Sequence, residues 1–72
     1  VQSVGSKTFY LENGVWIDSE YKDNSNLREI KLTFASSDYF DLLNKQKDLA
    51  QYFALGEQVI VVSGGKVYRV GK

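Results

Sequence analysis

Short apolar runs flank glycine-containing pairs toward both ends of this chain, and between them the apolar residues recur at helical spacing. Residues 8–12 and 15–19 are rich in strand formers and flank Asn13-Gly14. That pair suits a two-residue type I′ turn, in which both central residues take positive φ. Folding about it puts Phe9, Leu11 and Trp16 on one face and Tyr10, Val15 and Ile17 on the other, so neither face is polar. A polar run over residues 20–26 leads to a third strand at 27–34. There Ile30, Leu32 and Phe34 alternate with Glu29, Lys31 and Thr33, the pattern of a sheet with one wet side.

Ser36-Ser37-Asp38 marks a helix start. A serine hydroxyl caps free amides there, and Asp38 and Asp41 sit toward the positive end of the helix dipole. Helical spacing continues to about Leu55, where Gly56 is placed as a left-handed stop. On one continuous helix Tyr39, Leu42, Leu43, Leu49, Ala50 and Phe53 form an apolar stripe that would enclose Gln46 and Lys47. A break near residues 44–47 avoids this and gives two short helices. Gly64-Gly65 then joins strands at 58–63 and 66–70, setting Val62 opposite Val67 and Val61 opposite Tyr68. The order is hairpin, strand, two short helices, hairpin. It predicts an α+β fold: a small, mostly antiparallel, curled sheet of about five strands with the helices on one side. Strong curling would bury both hairpin faces in a barrel-like interior. Without it, the second faces leave an apolar patch for a partner.

Composition narrows the function classes. A chain of 72 residues is one domain, 1–72, with one small core. Nine basic residues balance nine acidic ones, so no net field attracts nucleic acid or an anionic membrane. There is no Cys and no His, which removes thiolate chemistry, disulfides, and the commonest general base and metal ligand. No apolar run approaches the roughly 20 residues needed to span a bilayer, and no signal-peptide pattern is visible. Position 1 is Val rather than Met, which reads as a segment of a longer polypeptide whose neighbours carry part of the function.

Candidate chemistry is sparse. Asp18, Glu20, Asp23 and Asn24 offer oxygen ligands, but their spacing matches no EF-hand and the turn glycine is missing, so no metal is expected. Gly64-Gly65-Lys66 lacks the loop length, the Ser or Thr, and the following helix of a phosphate cradle. Asp38 with Asp41, or Asp18 with Glu20, could be cast as acid and base, and no Ser lies on a nucleophile elbow. The expectation is a non-enzyme with no cofactor. Phe9, Tyr10, Trp16, Tyr21 and Tyr68, with Lys7, Lys22, Lys66 and Arg69, could form an aromatic sheet face for nucleic acid or carbohydrate. Aromatics alternating along strands more commonly pack as core or interface. The preferred expectation is a protein-binding surface at Phe9, Leu11, Trp16, Ile60 and Val62, meeting a neighbouring domain or a second copy.

Three stretches carry a family resemblance: VGSKTFYLENGVWIDSEY, SSDYFDLLNKQKDLAQYFALGEQVIVV and GGKVYRV. Together they resemble the C-terminal segment of bacterial proteins that pair an inter-α-trypsin-inhibitor-type domain with a von Willebrand factor type A domain. The resemblance covers about residues 4–70. That family often has proline where Lys47 stands here, in keeping with a helix break. The D-x-S-x-S metal motif of the type A domain is not in this chain, so no adhesion-site residue transfers. The resemblance implies the C-terminal module of an extracytoplasmic protein, periplasmic or at the cell surface, active in adhesion or assembly.

Overall fold

Both predicted turns close as expected in the computed structural model, which describes residues 1–22 and 26–72. Asn13 and Gly14 take φ of 52° and 81°, and Gly64 and Gly65 take 58° and 77°. Positive φ at both central residues twists the turn in the sense the flanking strands require. The first turn joins β2 (Lys7–Glu12) to β3 (Val15–Asp18), with Leu11 opposite Trp16 and Tyr10 opposite Ile17. The second joins β5 (Val59–Ser63) to β6 (Lys66–Gly71), with Val62 opposite Val67 and Val61 opposite Tyr68. We expect Gly14→Val to destabilise the chain by about 1 kcal/mol or more, because a β-branched side chain is strained at that φ. An unchanged thermal midpoint would contradict the turn.

The sheet itself departs from the expectation. Among the described residues it has six strands in the order β1-β2-β3-β5-β6-β4, including a short β1 (Gln2–Val4) and an edge strand β4 (Arg28–Thr33). It is mixed rather than mostly antiparallel, since β3 runs parallel to β5 and β4 parallel to β6. It is not curled into a barrel: β1 and β4 end the sheet without pairing. The last hairpin inserts between β3 and β4, and burial explains why. β5 and β6 are the most apolar strands, and Val59, Ile60, Val61, Val67, Tyr68 and Val70 are all buried. A central strand has neighbours at both edges, whose side chains help cover its own. The more polar β4, carrying Arg28, Glu29 and Lys31, is left at the edge.

The helical region breaks where predicted. Ser36 caps α1 (Ser37–Lys45), its Oγ accepting the Tyr39 N–H at 3.2 Å. Gln46 leaves the helical region at φ −127° and ψ 80°, and a 3₁₀ turn (Lys47–Leu49) leads into the one-turn α2 (Ala50–Phe53). At the break the Gln46 Nε2 donates to the Tyr68 hydroxyl at 3.0 Å, giving that buried phenol a partner. Gly56 is not a left-handed cap, because its φ is not positive. It matters through close approach instead: a Cβ there would stand 3.3 Å from Trp16 Cδ1.

Register fixes the two faces of the sheet. Phe9, Val59, Val61, Tyr68 and Val70 share the face that packs on Tyr39, Leu49, Tyr52 and Phe53 of the helical region. Phe9 meets Tyr52 with ring centroids 5.6 Å apart, and Tyr39 stacks on Phe53 at 5.7 Å. The opposite face carries no helix among the described residues.

Candidate interaction surface

Asp18, considered above as an oxygen ligand, is the most buried polar residue among those described, at 1% exposure. The β2–β3 register sets it opposite Phe9, and so on the helix side of the sheet. Its carboxylate receives three donors: the Lys7 ammonium at 2.8 Å, the Glu20 N–H at 2.9 Å and the Val62 N–H at 2.9 Å. These bonds tie β2, the chain leaving β3, and β5 to one point. Lys7 also pairs with Glu20. Burial alone would lower the Lys7 pKa, but hydrogen bonds and charge from Asp18 and Glu20 together outweigh it and hold the pKa above its ordinary value. With Asp18 already accepting three donors, the cluster is a structural clamp rather than a poised acid, base or cation ligand. Asp23 and Asn24, the other two oxygen donors considered, lie outside the described residues. Asp38 and Asp41 are both exposed on α1, with no cleft between them among the described residues.

The five residues expected to form one binding surface do not share a face. Phe9 is fully buried in the core and cannot be offered to a partner. Trp16 is half-buried on the same side and packs against Gly56. Leu11, also on that side, is 56% exposed. Ile60 and Val62 lie on the opposite face, where Ile60 is buried and Val62 half-buried. The aromatic platform is divided in the same way. Phe9, Trp16 and Tyr68 lie on the helix side, whereas Tyr10 and Tyr21 are on the other.

That helix-free face holds the set the sequence offered second. Tyr10, Ile17, Ile60, Arg69 and Lys31 form one row across five strands. Tyr21, from the connection after β3, folds onto this row. Arg69 donates to its hydroxyl at 3.1 Å and stands 5.8 Å from its ring centroid. Arg69 also pairs with Glu29 at 2.6 Å. The hydrogen bond from Arg69 to Glu29, with the charges nearby, outweighs partial burial and raises the Arg69 pKa. Between Tyr21 and the first hairpin lies an open depression of about 320 Å³, lined by Val15, Ile17, Ile60 and Arg69 with Glu12 and Asn13 at its rim. Tyr10, beside Ile17 in the same row, is 49% exposed.

Among the described residues no helix is long and apolar enough to cross a membrane, and no group of three acidic side chains converges as a metal site would require. Comparison with protein-family models, with curated proteins and with solved structures found no match.

Proposed function

We propose that this chain is a non-catalytic structural or protein-interaction module that docks a neighbouring protein domain through the helix-free face of its sheet. The observation that carries this reading is the exposed Tyr10 beside the half-buried Ile17, with the adjoining depression. An apolar hairpin face with no helix packed on it loses solvent-exposed area only against another protein surface. The depression is shallow and of mixed lining, which suits one inserted partner side chain better than an enclosed small molecule.

The resemblance to segments that follow a type A domain supplies the context. On that reading the module belongs to the C-terminal end of a larger bacterial protein, periplasmic or on the surface, and its partner is that protein's adjacent domain. The experiment is a calorimetric titration of the 72-residue chain with the preceding part of its polypeptide supplied separately. Saturable binding is expected, and Tyr10→Glu should weaken it at least about tenfold, since a charge would be buried without a partner. Binding that Tyr10→Glu leaves unchanged, or no binding at all, would contradict the reading.

A further inference from the structure

A second surface, the β4 edge of the sheet, borders the helix-free face. The strand β4 ends the sheet, with β6 on one side and no strand on the other among the described residues. Its hydrogen-bonding direction can be read from one contact: the Phe34 N–H donates to Gly71 O at 2.7 Å. Backbone groups alternate in direction along a parallel ladder. Those of Ile30 and Leu32 therefore turn toward β6, and those of Glu29, Lys31 and Thr33 turn outward. The Thr33 carbonyl agrees, since it accepts the Ser36 N–H at 3.0 Å rather than a donor from β6.

We propose that this edge pairs antiparallel with β4 of a second copy of the chain, in the register that sets Glu29 opposite Lys31 of the second copy. Only the outward-facing residues can exchange hydrogen bonds, which leaves five symmetric registers, and the one centred on Thr33 needs a carbonyl that already accepts the Ser36 N–H. Centring the pair on Glu29 or on Lys31 sets like charges face to face, which is unfavourable. Centring it on Leu32 needs the Thr33 carbonyl that Ser36 already occupies. Centring it on Ile30 places Glu29 against Lys31 twice, by the two-fold symmetry, and Ile30 against its own copy on the helix side.

Both charged side chains are exposed and free to meet. Arg69 holds Glu29 at 2.6 Å on the same face, so each carboxylate would lie between Arg69 of its own chain and Lys31 of the second copy. Leu27 and Phe34, 38% and 37% exposed at the two ends of the edge, gain cover in this register. The other free edge, β1, has only three residues and no charged side chain, so it offers no such code.

Sedimentation equilibrium of the 72-residue chain tests the pairing. The wild type should dimerise, and Lys31→Glu and Glu29→Lys should each weaken dimerisation at least about tenfold, because two favourable cross-strand pairs become two repulsive ones. An equimolar mixture of the two variants should recover a dimer, since each copy then supplies the charge the other lacks. Glu29→Lys also removes the Arg69 partner, so Lys31→Pro serves as a second block. The Lys31 N–H faces outward, and the proline removes no bond to β6. A monomeric wild type at millimolar concentration, a mixture that stays monomeric, or Lys31→Glu and Lys31→Pro variants that dimerise like the wild type would overturn the proposal.

Discussion

Replacing Asp18 with alanine should cost the fold about 2–4 kcal/mol, because it removes at once the shared acceptor of an ammonium and two backbone amides. The Lys7 side chain keeps Glu20 but loses its buried partner, and the Glu20 and Val62 N–H groups lose their acceptors. A domain of this size has a total stability of about 4–10 kcal/mol, so the variant should lose a large fraction of it. Asp18→Asn should recover little of the loss. Its amide keeps one acceptor oxygen but turns an NH₂ group toward a site where three donors already converge. Lys7→Met should be milder, since both amide bonds to Asp18 remain. Urea unfolding followed by Trp16 fluorescence measures all three. A loss below about 1 kcal/mol for Asp18→Ala would mean that the carboxylate is not the clamp described, since leaving two amides without their acceptor costs more than that.

Phe9→Ala should destabilise by about 3–5 kcal/mol, the usual cost of emptying a fully buried aromatic site. Phe9 has 0% exposure and packs on Tyr52, so removing the ring opens a cavity between sheet and helices. Tyr10→Ala, one residue away on the other face, should change stability by no more than about 0.5 kcal/mol. The contrast tests register directly, because a slip of one residue exchanges every side chain between faces. If Tyr10→Ala unfolds the chain and Phe9→Ala does not, the hairpin is the other way up.

The features legible from sequence were those whose cause is local. Asn13-Gly14 and Gly64-Gly65 declare their turns through φ, Ser36 declares a helix start through its hydroxyl, and Gln46 and Lys47 interrupt an apolar stripe. Strand order was not legible. Alternation shows which residues point inward, whereas neighbours depend on which strands most need shielding on both faces. The burial of Ile60 and Val67 on the helix-free side answers that question only after folding. β1 escaped notice because three residues before a Gly5-Ser6 turn carry little pattern.

The site was misassigned for a related reason. Asp18 was grouped with Glu20, Asp23 and Asn24 as oxygen donors, yet the hairpin register already put it on the same side as Phe9 and Trp16. Lys7 lies on that side too, two residues before Phe9, so an inward acid beside an inward base was there to be found. Phe9, Trp16, Ile60 and Val62 were grouped by apolarity alone. Only the parallel pairing of Trp16 with Val59 and of Ile17 with Ile60 shows that they belong to opposite faces.

The proposed docking face is tested most directly by comparing methyl resonances of the 72-residue chain alone and within the longer polypeptide that the proposal assigns it to. Val15 and Ile17 report on the helix-free face, and Leu42 and Leu43 report on α1. The account predicts that the Val15 and Ile17 methyls shift in the longer chain while those of Leu42 and Leu43 stay in place. Shifts confined to the α1 methyls, or identical spectra in both contexts, would contradict it.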